Sequence, residues 1–409
     1  MKYLHKLLVL LMTIGFHQVY AQIINIQSIK KHVTYLASDE LEGRAPGTKG
    51  EKLAIQYISA EFAKLGLTPM GTNGFQQKFD YKYNKHPHDS TSKVFVKKKG
   101  SNVVGFLDNK AASTIVIGGH FDHLGIGHHH SARDTSKGVH NGADDNASGT
   151  AGVIELANYF VNNKKTEANN FLFICFSAEE DGLVGSKHFT SNPTLKIEAI
   201  NCMINMDMIG RLDPASKKLM VYGYGTSPAF AGIIDTNDKR FSVVIDSSGM
   251  GPTDHTSFYL KNIPVLSFFT GQHNDYHKAS DDVDKINFEG EQMVLEYIAE
   301  IVQQIDTKGK LTFTATKNKE QGRSKYKVTL GIMPDYTADV SGVRVDGVME
   351  GKSAELAGIL SGDIIIEMDG NAIKDIYAYM KQLAAYKKDD TCMVVVQRGE
   401  QKLKLKVRF

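Results

Sequence analysis

The sequence predicts an α/β fold: a mostly parallel, mixed central sheet with helices on both faces, followed by a small β-rich module. Two observations carry that expectation. Short apolar runs at 114–118, 170–176, 199–205 and 263–269 alternate with amphipathic segments such as 149–162 and 288–305. Uninterrupted apolar strands spaced by helices belong to parallel sheets covered on both faces. After 306 the composition changes: 307–325 is rich in Lys, Thr, Gln and Gly, and short strand-like runs follow with one good helix at 375–386. With 409 residues, the chain has room for two or three domains. Hydrophobic residues are 42% and charged residues 23%, which excludes wholesale disorder. Lys plus Arg is 48 against 46 for Asp plus Glu, so no basic excess exists for binding nucleic acid. Three cysteines (Cys175, Cys202, Cys392) are too few for a disulfide scaffold, and an ordinary core must hold the fold.

The elements follow in order. Lys2 and Lys6 flank a short basic head, 7–16 is an apolar stretch, and Val19 and Ala21 precede an expected cut at Ala21-Gln22. That is the layout of a secretory signal peptide over 1–21, too short to span a bilayer. No Cys follows the cut and no later segment approaches 18 apolar residues. The expectation is an exported, periplasmic or extracellular protein without a membrane span or lipid anchor. Residues 24–67 read as helical around a loop at 39–47, with the second helix stopping at Gly66. Strands are expected at 93–97 and 103–107. The domain expectation is 22–306 for the first domain, 307–325 for a linker and 326–409 for the second.

Chemistry-bearing residues collect where open parallel sheets keep their sites, just beyond the carboxyl ends of the strands. The run ending at 119 leads to His120, with Asp122 two residues on. Further runs end at Glu179-Glu180 and at Asp207, and the run 263–269 enters a loop with Tyr276-His277. Asp144-Asp145-Asn146 opens the helix that starts near Gly149. One such residue is ordinarily a cap or a solvated loop residue. Five oxygen or imidazole donors at neighbouring strand ends point to a metal site. Without thiolates the set suits Zn²⁺, with Mn²⁺ or Co²⁺ as alternatives. Five donors serve two ions only if one carboxylate bridges, the arrangement of hydrolytic sites with ions about 3.5–4 Å apart. Glu179 and Glu180 diverge as successive residues, so one can ligate while the other faces a water as general base.

His120-Phe121-Asp122, Gly142-Ala143-Asp144-Asp145-Asn146-Ala147-Ser148-Gly149, Ala178-Glu179-Glu180-Asp181-Gly182, Asn205-Met206-Asp207-Met208-Ile209-Gly210, Thr253-Asp254-His255 and Tyr276-His277 together resemble the exported bacterial di-zinc aminopeptidases. That family also contains glutamate carboxypeptidases and glutaminyl cyclases, and the resemblance covers roughly 30–305. It implies two zinc ions per chain, one on His120 and Asp207 and the other on Glu180 and His277. Asp145 bridges them, because the family's bridging Asp directly precedes the position of Asn146. The resemblance further implies a cis peptide between Asp145 and Asn146, Glu179 as general base, Asp122 orienting His120, and Tyr276 steadying the oxyanion.

His128 to His130 and His140 fall in the loop between His120 and Asp145 and are expected to be solvated. Cys175 and Cys202 are expected as buried free thiols, level on neighbouring strands. His255 is expected at a helix start. In the C-terminal part, Leu330-Gly331-Ile332-Met333 and the stretch 351–365 resemble the carboxylate-binding loop and the helix and strand of a PDZ domain. This implies an extended peptide partner added to a sheet edge, with a module that only packs as the alternative. The function expected is a secreted aminopeptidase acting on peptides or proteins with a free N-terminus. A complete donor set speaks against a single-zinc cyclase, and Glu179 against a silent peptide-binding protein. Arg211, near Asp207, leaves carboxypeptidase action open.

Overall fold

A computed structural model of the chain describes residues 24–84, 95–127, 129, 131–163, 165–316, 328–334, 340–348 and 351–409. The expected signal peptide, residues 93 and 94, His128, His130 and the connection after Thr316 lie outside the described residues.

Helices α1 (Ile26–Leu36) and α2 (Lys49–Lys64) flank a 3-10 turn at Asp39–Arg44. Asn25 accepts from the Gln27 and Ser28 N–H groups, and Thr48 from that of Glu51, so both helices satisfy first-turn donors. Strands β1 (Thr68–Pro69), β2 (Gln76–Asn84), β3 (Phe95–Leu107) and β4 (Thr114–His120) follow. In the next loop, β5 (Gly125–Ile126) pairs with β6 (Val139–His140). Then come α3 (Gly149–Asn162), β7 (Asn170–Phe176), α4 (Val184–Ser191) and β8 (Ile200–Met206). The remainder is β9 (Lys218–Tyr222), β10 (Ser242–Ile245), α5 (His255–Tyr259), β11 (Val265–Phe269) and α6 (Phe288–Asp306).

Among the described residues the central sheet has the order β1-β3-β7-β4-β8-β11-β9-β10, with β2 on the free side of β3. β4 runs parallel to β7 and β8, and β8 parallel to β11. Their carboxyl ends therefore open on one edge, and the loops after them meet there. Every position of β4, β7 and β8 is buried, as a sheet covered on both faces requires. Ile117, Phe173 and Ile204 pack on Ile29, Ile58, Leu156 and Ile298 from α1, α2, α3 and α6. On the other face Val116, Leu172 and Met203 meet Phe189 of α4 and Phe258 of α5.

Two expectations need correction. Over the described residues, 95–97 and 103–107 belong to one strand, β3, because β2 pairs with it without interruption from Gln76↔Val103 to Asn84↔Phe95. Cys175 and Cys202 are buried and free but not level: β4 runs between their strands, where Gly119 faces Cys175 and Ile115 faces Cys202. The first part of the expected linker is seated on the sheet domain. Leu311 is in its core and its N–H donates to Asn201 Oδ1 at 2.7 Å, while Thr316 N–H donates to Tyr259 Oη at 3.0 Å.

The C-terminal part forms a second, antiparallel sheet from β12 (Ile332–Pro334), β13 (Val343–Val348), β14 (Ile364–Met368), β15 (Asn371–Ala372), β16 (Thr391–Arg398) and β17 (Gln401–Arg408). Helices α7 (Ser353–Leu356) and α8 (Ile376–Leu383) cover it, the latter capped by Asp375. Leu330, Val345, Ile365, Val394 and Val396 make its separate core. No described helix is long and apolar enough to cross a membrane.

Candidate metal centre

His120 is the last residue of β4. Its Nδ1–H donates to the Asp122 carbonyl at 3.2 Å, which holds the ring so that Nε2 is the nitrogen presented to the carboxylates. Nε2 faces Asp145 Oδ1 at 3.4 Å and Asp207 Oδ1 at 3.5 Å. His277 repeats the device from the loop after β11. Its Nδ1–H donates to the Ser131 carbonyl at 3.0 Å, and Nε2 faces Asp145 Oδ2 at 3.1 Å and Glu180 Oε2 at 3.2 Å. Donating one ring N–H to a carbonyl is how metal-binding histidines are oriented. Two donors each about 2.0–2.1 Å from a shared zinc at tetrahedral angles lie roughly 3.3–3.4 Å apart. The observed separations fit that spacing.

Asp145 is thus divided, one oxygen toward His120 and the other toward His277 and Glu180. Its neighbour Asp144 is engaged elsewhere: Oδ1 accepts from Gly210 N–H at 2.7 Å and Oδ2 lies 3.1 Å from His273 Nε2. Asp281 holds the turn by accepting from the Asp144 and Asp145 N–H groups. Asp145-Asn146 is a cis peptide. Gly142 must lack a side chain, since a Cβ there would lie 2.1 Å from the Asp145 carbonyl.

Glu179 and Glu180 follow β7. The Asp122 carboxylate accepts from their N–H groups at 3.0 and 3.3 Å. The same carboxylate is 3.8 Å from His120 Nδ1, so Asp122 orients His120 through its carbonyl and the glutamates through its side chain. Beneath the loops lies Arg44, fully buried. Its guanidinium donates to the carbonyls of Phe121, Asn141 and Gly142 at 2.7, 2.6 and 3.0 Å, and to that of Leu36. Burial lowers its pKa to about 10, against the pull of nearby Asp122 and Asp145, so it stays a cation at neutral pH.

Burial disfavours the imidazolium of His277, but Glu180 and Asp145 outweigh it and raise its pKa to about 10. Burial raises the Glu179 carboxyl well above the usual range; His120 opposes this, while Asp254, Glu180 and Asp207 add to it. Asp145 Oδ2 and Glu180 Oε1 are buried without a hydrogen-bond partner. Unpaired buried acceptors this close together are what a cation would satisfy. Two donor groups stand within 4.8 Å internally: His120, Asp145 and Asp207, and His123, Asp145 and Glu180. The residues fit metal.

Tyr276 stacks on the His277 ring at 3.9 Å between centroids, and the Arg133 guanidinium lies 4.5 Å from the Tyr276 ring centre. His140 is not solvated as expected; it is fully buried with Nε2 3.0 Å from Asp134 Oδ1. Asp134 also accepts from Ala279 N–H, which pins this loop to the His277 loop. His129 is half-buried, 2.7 Å from Ser131 Oγ. His255 begins α5 and is buried. His123, Arg44 and Asp281 were not singled out by sequence. His123 had a signal, its place three residues after His120; the other two act on main chain far away in sequence and had none.

Residues 102–302 match the model of peptidase family M28. The chain carries an M28 peptidase domain. Residues 312–409 match a PDZ domain. Leupeptin-inactivating enzyme 1 of Streptomyces exfoliatus is 25% identical over 271 residues, 64% of this chain and 52% of that protein. Leucine aminopeptidase 2 of Arthroderma otae is 25% identical over 224 residues, 46% of this chain and 43% of that protein. The chain spans about half the length of these curated relatives. A zinc aminopeptidase from Bacillus subtilis superposes with a TM-score of 0.53 at 15% identity, covering 69% of this chain and 95% of that one. A Zn-dependent exopeptidase from Parabacteroides distasonis gives 0.54 at 15%, covering 69% and 98%. At these identities the likeness establishes that the M28 domain has the fold of those enzymes.

Proposed function

We propose that the M28 domain is a two-zinc aminopeptidase that removes residues from the free N-terminus of peptides. One observation carries the reading: the two oxygens of Asp145 face two different sets of donors, His120 with Asp207 and His277 with Glu180. Those five residues would hold the ions, which when bound polarise a carbonyl and acidify water. Glu179 accepts the proton of the attacking water on its carboxylate and passes it to the departing amine. Its carboxylate makes no hydrogen bond among the described residues and is free for that exchange. Asp122 sets the positions of both glutamates, and Tyr276, held between His277 and Arg133, steadies the oxyanion. The names of the aminopeptidase relatives support this substrate class.

Carboxypeptidase action on the same fold would want a free arginine for the terminal carboxylate. Arg211 instead donates from both terminal nitrogens to Asp275 at 3.4 Å. We also propose that the basic and apolar layout of 1–21 exports the chain. The C-terminal module would then hold an extended peptide at a sheet edge, and the catalytic domain would run through Thr316. The test is release of free amino acid from a panel of aminoacyl-anilides, with N-acetylated and C-amidated peptides as controls. Cleavage that N-acetylation blocks and C-amidation spares is expected. The opposite pattern would assign the site to a carboxypeptidase.

A further inference from the structure

His123 enters the same cluster from the stretch that follows β4. It is 1% exposed, and Nδ1 has no polar neighbour among the described residues besides the carboxylates of Glu180 and Asp145. Leaving a buried polar group unpaired carries a desolvation penalty that native structures avoid. Nδ1 stands 3.0 Å from Glu180 Oε1 and 3.9 Å from Asp145 Oδ2, and both oxygens are themselves buried and unpartnered. The ring is built into place: a Cβ on Gly142 would lie 2.5 Å from its Cγ and Cδ2. It meets the His277 ring edge to face at 5.9 Å between centroids. In His120 and His277 the Nδ1 atom is used on a carbonyl and Nε2 faces the carboxylates; in His123 it is Nδ1 that faces them.

We infer that His123 is a sixth protein ligand, bound through Nδ1 to the ion that Asp145, Glu180 and His277 hold. The inference rests on the two-metal reading above and makes its two positions unequal. Four protein donors are the number of a closed zinc site, whereas three leave a place for water or substrate. The position with His123 therefore fills first and retains its ion. The position on His120, Asp145 and Asp207 is the exchangeable one, open to the scissile carbonyl.

The test is zinc titration of the chelator-stripped full chain against a chromophoric chelator. Two equivalents are expected to bind in two steps, the first at least about tenfold tighter. His123→Asn places an amide N–H near the position of Nδ1, so it can still donate to Glu180 but ligates zinc poorly. It should lose roughly 10- to 100-fold in affinity at the first step and keep the second step near wild type. Wild-type affinity at both steps would reduce His123 to a residue that steadies Glu180 and overturn the assignment. Crystals of the unmutated, zinc-loaded chain give a reading that does not depend on the variant folding. Nδ1 at about 2.0–2.1 Å from an ion supports the assignment. Two ions with His123 touching neither overturns it alone, and a single ion or none overturns the two-metal reading with it.

Discussion

Glu179 and Glu180 share a peptide bond and an Asp122 carboxylate, yet their side chains have different partners. Glu180 faces His277 and His123, whereas Glu179 has neither. Glu179→Gln should therefore keep the protein's full metal content, read by elemental analysis, while turnover falls by roughly 10²–10⁴-fold. Near-wild-type turnover would remove Glu179 from the mechanism. Glu180→Gln should weaken metal binding instead. The place of this pair at the carboxyl edge of the sheet was legible in the sequence, because both residues follow the apolar run that forms β7. His140 was misread for the complementary reason. A loop of His, Ser and Gly reads as solvated, and only the pairing of Asp134 with both His140 and the Ala279 N–H buries it.

At the scale of elements, the strands were readable and their supports were not. β4, β7 and β8 are apolar throughout because both faces are covered, and that pattern is local. The 3-10 turn Asp39–Arg44 looked like a plain loop between helices, since its contribution is one guanidinium reaching carbonyls up to 98 residues away. Arg44→Met should leave those buried carbonyls unpaired. A loss of about 3 kcal/mol or more is expected from hydrogen bonds to a charged group at about 1.5–3 kcal/mol each. Chemical denaturation of the metal-loaded variant checks this, and an unchanged midpoint would mean that water replaces the guanidinium. The loops carrying His120 and Asp145 share this support, so weaker zinc binding should accompany the lost stability.

Across the whole molecule, the two sheets have cores of their own among the described residues, and the residues proposed to hold metal belong to the first sheet. The change in composition after 306 signalled the division. Low apolar content hid the fact that Leu311 and Phe313 pack on the sheet domain and Thr316 bonds to Tyr259. A chain ending after Thr316 should fold, bind metal and cleave small anilides at close to the full rate. One ending at Asp306 should melt at lower temperature. If the C-terminal module recruits substrate, the longer truncation product should show a raised KM on long peptides only, the signature of lost remote binding energy. Equal kinetics on long and short substrates would assign the module to packing or placement.

What joins these scales is a single carboxylate at the end of the sheet. Elemental analysis of zinc in the purified wild type and in Asp145→Ala tests that directly. Two ions per wild-type chain and close to none in the variant is the predicted result, because Asp145 alone faces both donor sets. A variant that keeps both ions, or a wild type that holds only one, would contradict the account.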